Sequence, residues 1–224
     1  MTQSTTERAV TLTSTVLGSG PGLLLAHGAT GSIETNFAPV LPALAAGHTV
    51  VAPDYPGSGA TPAATAPLTL DALADALVAE AEAAGVDRCT VLGFSLGTAV
   101  AVRAATRHPD RVAGLVLTAG FATPDPGLRR ATHDWQRNVP AGHVRQVELV
   151  REVDTTADLA GITVPTLVIA TTRDTLVAPV GSRALADGIP GARYTEIAAD
   201  HLVMVERPDE WRDAVLRFLG EHRL

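Results

Sequence analysis

This chain of 224 residues contains no lysine, and all 17 of its basic residues are arginine. A mechanism built on a Schiff-base lysine is therefore excluded. There is a single cysteine, Cys89, so no intramolecular disulfide can form. Cys89 opens a short apolar run, and a buried structural thiol is expected there. No apolar run approaches the roughly 18 residues that a membrane span needs. The first residues, Met1 to Arg8, are polar and carry no apolar signal-peptide core. These absences predict a cytoplasmic protein with no membrane partner. Positive charge is also short. The formal net charge is −7, which argues against a nucleic-acid partner because phosphate binding needs a basic face. No cluster of His, Asp and Glu has metal-ligand spacing, so neither a metal nor a cofactor is predicted.

Two glycine-rich stretches lack what would make them nucleotide sites. Gly18-Ser19-Gly20-Pro21-Gly22 leads into a strand-like run, whereas a dinucleotide-binding turn leads into a helix. Gly57-Ser58-Gly59 lacks the lysine of a phosphate loop. What the chain does have is apolar material in short pieces, with 46% hydrophobic and 18% charged residues. That is enough for one domain over residues 1–224 with a sizeable core.

Short apolar runs alternate with helix-like segments. Val10 to Leu17, Leu23 to Ala26, Thr49 to Ala52, Cys89 to Leu92, Leu115 to Leu117, Thr166 to Ala170 and Arg193 to Ile197 read as strands. Leu70 to Ala84 reads as a helix with Leu70, Leu73, Leu77 and Ala81 on one face. Arg207 to Leu219 reads as another, with Trp211, Val215 and Phe218 inward. Continuous apolar strands separated by helices predict an α/β fold, with a mostly parallel central sheet covered by helices on both faces. The alternation breaks from 121 to 162, where no strand is visible. Two helix-like pieces stand there, Leu128 to Arg137 and Val144 to Val153. A long connection of this kind is usually functional, and a short helical cap is expected.

The most informative residues are Gly93-Phe94-Ser95-Leu96-Gly97, a G-x-S-x-G pattern between a strand-like run and the helix-like Thr98 to Ala105. A strand turning sharply into a helix strains its turn residue, and the flanking glycines remove the side chains that would clash. The serine hydroxyl is then held out above the sheet edge. A serine hydroxyl is a poor nucleophile at neutral pH. It needs an imidazole to take its proton and a carboxylate to orient that imidazole. Asp174 follows the run Thr166 to Ala170, with Asp125 as the runner-up acid. His201 follows Arg193 to Ile197. His48, His108, His133, His143 and His222 lack this position after a strand and read as surface or structural.

With these residues in place the chain resembles the α/β-hydrolase family over nearly its whole length. His27-Gly28, Asp54-Tyr55-Pro56-Gly57-Ser58-Gly59, the Ser95 elbow, Asp174 and Asp200-His201 occur in that family's order. The resemblance implies a triad of Ser95, His201 and Asp174, and an oxyanion hole from the backbone N–H groups of Ala29 and Leu96. His27 would shape the oxyanion loop rather than act as a base. Asp200 stands where the family usually has glycine and adds a negative charge beside His201.

The implied activity is a serine hydrolase acting on a small-molecule ester, lactone or thioester through an acyl-serine intermediate. The alternatives on the same scaffold are a perhydrolase, a C–C bond hydrolase, or a non-hydrolytic binding or tailoring protein. The cap is shorter than the family's usual lid, which predicts a shallow, partly open cleft above Ser95. Trp135, Val147 and Val150 are expected to line that cleft or to be covered by a second subunit in a homodimer.

Overall fold

The computed structural model describes residues 10–224, so the polar segment Met1 to Arg8 lies outside it. Strands β1 (Thr13–Leu17) and β2 (Gly22–Ala26) come first, then the short helices α1 (Ile33–Phe37) and α2 (Leu41–Ala45). They are followed by β3 (Thr49–Asp54), α3 (Leu70–Ala83), β4 (Cys89–Phe94), α4 (Leu96–Arg107) and β5 (Val112–Thr118). The segment between β5 and β6, where the cap is expected, holds α5 (Pro126–Asn138) and α6 (Val144–Glu152). The chain returns through β6 (Thr166–Thr171), α7 (Pro179–Gly188), β7 (Arg193–Ile197), α8 (Val203–Glu206) and α9 (Pro208–His222).

The seven strands form one sheet in the order β1-β3-β2-β4-β5-β6-β7. Only β1 runs antiparallel, paired to β3 at the edge. The central strands read as unbroken apolar runs because both of their faces are covered. Successive side chains point to opposite faces. Leu24, Val51, Val91, Leu115, Leu117 and Val168 enter one core with α3, α4 and Leu185 of α7. Leu23, Leu25, Val50, Leu92, Val116 and Ile169 enter the other with α1, α2 and α9. Trp211 of α9 is fully buried there, and its indole N–H donates to Thr118 Oγ1 at 3.0 Å. Cys89 is buried, as expected.

The differences from the sequence reading are at element ends and in short pieces. The first strand begins at Thr13 rather than Val10, and β5 extends three residues earlier and one later than Leu115 to Leu117. The helices α1 and α2 have only five residues each, too short to show a 3.6-residue period. Among the described residues no helix is long and apolar enough to cross a membrane.

The strand order places the site. After β2 the chain moves outward to β3, then crosses back to β4 on the other side of β2. The connections therefore diverge between β2 and β4 and leave a crevice at their carboxyl ends. Helix α4 begins hard against this point. A Cβ on Gly97 would sit 1.9 Å from the Ala26 carbonyl oxygen, which is backbone and cannot swing aside. Gly97→Ala should therefore lower the unfolding free energy by about 3 kcal/mol or more. Gly47 has nothing within 4 Å, and Gly47→Ala should stay within about 0.5 kcal/mol of the parent. Urea unfolding of the two variants measures this, and equal stabilities would refute the close approach.

Candidate active site

Ser95 sits between β4 and α4 with φ 54° and ψ −120°, a conformation non-glycine residues rarely adopt. Such strain costs on the order of 1–3 kcal/mol and persists only where the surroundings over-determine it. Here the Ser95 N–H donates to the Thr118 carbonyl at 3.0 Å. The Ser95 carbonyl accepts from the Thr98 N–H at 2.9 Å and from the Thr98 hydroxyl at 2.7 Å. The flanking glycines are required sterically, since a Cβ on Gly93 would lie 2.4 Å from the Gly97 carbonyl oxygen. Leu96 is the first residue of α4, so its N–H has no carbonyl one turn back to bond.

The other two sequence-predicted side chains reach Ser95 from the ends of β6 and β7. His201 Nε2 lies 3.0 Å from Ser95 Oγ, and His201 Nδ1 lies 2.7 Å from Asp174 Oδ2. Asp174 is buried, and its carboxylate is fully satisfied. Oδ1 accepts from the N–H groups of Leu176 and Val177 at 2.9 Å each, and Oδ2 also accepts from the Thr171 hydroxyl at 2.9 Å. Burial is the largest influence on its pKa and would raise it. The hydrogen bond and positive charge of His201, with the two backbone donors, outweigh burial and hold the carboxyl below its ordinary value. Asp174 is thus an ionised acceptor, which fixes the proton of a neutral His201 on Nδ1 and leaves Nε2 facing the serine.

The loops bearing Asp174 and His201 are tied together. The Thr172 and Arg173 N–H groups donate to the Ile197 and Ala199 carbonyls at 3.0 Å each. Glu206 pairs with Arg173 and accepts from the Asp200 N–H at 2.8 Å. Asp200 Oδ1 accepts from the His201 N–H at 2.8 Å. The acid in the place of the usual glycine therefore braces the backbone that carries the histidine. The runner-up Asp125 caps α5 instead, accepting from the Leu128 N–H at 2.8 Å.

The loop after β2 runs past Ser95, and a Cβ on Gly28 would lie 3.3 Å from the Ser95 Cβ. His27 is fully buried beneath this loop. Its Nδ1 lies 2.7 Å from the Gly28 carbonyl, and its Nε2 accepts from the Tyr55 N–H at 2.9 Å. One ring nitrogen must donate and the other must accept, so the ring is neutral with its proton on Nδ1. The Asp54 carboxylate 3.8 Å from Nε2 is accordingly not an ion-pair partner. Burial first, and the nearby His143 to a lesser degree, push the His27 pKa down to about 4 against the upward pull of the Gly28 carbonyl. Asn36 Oδ1 accepts from the Gly28 N–H at 2.9 Å. The Ala29 N–H meets no acceptor among the described residues.

Between these loops and the cap lies a cleft of about 420 Å³ with Ser95 and His201 in its wall. Trp135, Leu128 and Val150 of the cap line it, while Val147 is buried within the chain. Sequence reading missed Thr171, Asn36 and Gln146, a cap residue whose buried amide bonds the Thr30 N–H at 2.8 Å. Among the described residues no group of His, Cys, Asp and Glu could hold a metal ion.

A family model described as alpha/beta hydrolase fold matches residues 21–156. The pyrrolizixenacetamide deacetylase of Xenorhabdus hominickii is 32% identical over 236 residues, covering 87% of this chain and 89% of that protein. A hydrolase from Pseudomonas aeruginosa is similar in structure at TM-score 0.82 and 28% identity, over 93% of this chain and 94% of its own. The enol-lactonase of Burkholderia xenovorans shares the fold at TM-score 0.83 and 24% identity, over 93% of this chain and 96% of its own.

The buried His27 makes folding pH-dependent. A group whose folded pKa lies below its unfolded value binds fewer protons in the folded state, so its stability contribution is lost as pH falls through that window. The window runs from the ordinary 6.5 down to about 4. The loss should reach about 3 kcal/mol at the bottom of it. Urea unfolding from pH 7 to pH 4 should show a steeper fall for the parent than for His27→Gln, which has no titrating ring. Parallel curves would show that His27 is not held neutral.

Proposed function

The chain belongs to the α/β-hydrolase fold family and is a hydrolase, and from that premise we propose that it cleaves a small-molecule ester, lactone or thioester through an acyl-Ser95 intermediate. The observation that carries this reading is the unbroken hydrogen-bond chain from Ser95 through His201 to Asp174 in the wall of the cleft. Ser95 Oγ attacks the carbonyl carbon while its proton passes to His201 Nε2. The carbonyl π pair moves onto oxygen, where the Leu96 and Ala29 N–H groups stabilise the charge. Asp174, held ionised, stabilises the imidazolium. The tetrahedral species collapses by expelling the alcohol or thiol, which takes the proton from His201, and the acyl group remains on Ser95. Water then attacks the acyl carbon, its proton goes to His201, and Ser95 leaves and recovers that proton. One water is consumed and the enzyme is restored.

The cleft lining contains no Arg, Asp or Glu, which favours an uncharged substrate because a buried ion would lack a partner. The similarity to a deacetylase favours acetyl as the transferred group. The single buried cysteine and the absence of a membrane-crossing helix among the described residues fit a reaction in the cytoplasm.

Ser95→Ala should fold normally and lower kcat by about 10,000-fold or more. A fluorophosphonate probe should label the parent once, at Ser95, and leave this variant unlabelled. Asp174→Asn should lower kcat by about 100- to 10,000-fold, since it disturbs the histidine without removing the nucleophile. Turnover by Ser95→Ala within tenfold of the parent would remove the acyl-serine route. In a series of p-nitrophenyl esters, kcat/KM should be highest for acetate and fall with chain length. A maximum at octanoate would count against acetyl transfer.

A further inference from the structure

Gln146 lies on the cap helix α6, yet its side chain is fully buried and does not line the cleft. All of its polar bonds cross to the loops at the carboxyl ends of β2 and β3. Oε1 accepts from the Thr30 N–H at 2.8 Å. Nε2 donates to the Pro56 carbonyl and to Ser58 Oγ, at 2.9 Å each. The Ser58 hydroxyl in turn donates to the Gly31 carbonyl at 2.5 Å. The loop is anchored at its other end by Gly28, whose N–H is held by Asn36 and whose carbonyl is held by His27. Ala29 stands between the two anchors.

Thr30 has φ 62°, in the left-handed region where a β-branched residue is a genuine outlier. Strain of this kind relaxes unless neighbouring groups fix it. Of the groups around it, Gln146 is the one bonded to the Thr30 N–H. Release of that bond frees Thr30 and the Gly31 N–H beyond it, which donates to the Gly28 carbonyl at 3.3 Å. It so removes one of the two bonds, the other from His27, that hold the planar Gly28–Ala29 peptide and aim the Ala29 N–H. Resting on the reading of Ala29 as an oxyanion donor, we propose that Gln146 is a positioning residue through which the cap fixes that donor. The dependence is mutual. An undocked loop would leave the buried Gln146 amide without partners, which costs free energy, so cap and loop hold each other in place.

The test uses p-nitrophenyl acetate and a trifluoromethyl ketone, which adds to a serine hydroxyl as a hemiketal oxyanion. Gln146→Met keeps the side-chain shape and removes the hydrogen bonds. It should lower kcat by about 10- to 100-fold and weaken the ketone by a similar factor, while KM stays within about threefold. Ser58→Ala should shift kcat and ketone binding in the same direction by less. Added to Gln146→Met it should cost little more, because both act on one loop. A folded Gln146→Met with kcat within twofold of the parent overturns the proposal, as does a loss confined to KM. If Gln146→Met does not fold, Ser58→Ala decides: unchanged kcat and ketone binding overturn it. The hydrolase reading fails separately, through parental turnover by Ser95→Ala. Loss in that variant with no effect at Gln146 defeats this inference alone.

Discussion

The close contact of Gly97 with the end of β2 governs the rest of the site. A helix that began even one side chain further from the Ala26 carbonyl would carry the Leu96 N–H away from the loop that bears Ala29. The sheet supplies the crevice by diverging between β2 and β4, but the absence of a side chain at 97 brings two backbone donors from different strands to its rim. The strain at Ser95 is the local cost of that arrangement, and the hydrogen bonds from Thr98 and to Thr118 hold it. A conformation that would relax in a free peptide is thus kept by a buried strand on one side and a helix on the other.

Electrostatics in the site follow from which groups are buried with partners. Asp174 and His27 are both largely shielded from water, yet they end in opposite states. The carboxylate receives three donors besides His201 and stays charged. The imidazole of His27 receives one N–H and faces one carbonyl, an arrangement that only the neutral ring satisfies. Two histidines stand within the same set of loops, and only His201 is left with a nitrogen facing the serine. The buried one is scaffolding, and its hydrogen bonds say so more directly than its place beside a glycine does.

Much of this was legible in the sequence because the physical causes are local. Strands covered on both faces must be apolar throughout, so they appear as runs such as Leu23 to Ala26. The elbow announces itself because only glycine tolerates the 2.4 Å and 1.9 Å approaches at 93 and 97. Asp174 and His201 follow from their places just past strands. The five-residue helices α1 and α2 leave no periodic trace. Asp200 was readable as a charge, but its bond to the backbone of its neighbour depends on loop geometry that residue type does not encode. Gln146 is the instructive case. It occupies the stripe of Leu149, Val150 and Val153 at spacings of three, four and seven, so a polar residue stands on an apolar face. That anomaly was visible, but what it bonds depended on segments about 90 and 116 residues away.

The amide of Gln146 also bears on how this scaffold can be re-engineered. Lids on such folds invite treatment as interchangeable modules, exchanged to admit new substrates while the chemistry beneath is left alone. Here the module reaches past the cleft with a buried amide and bonds the backbone of the loops after β2 and β3. A transplanted lid without an equivalent amide would change turnover along with selectivity, and the two could be separated only by grafting that one contact with it.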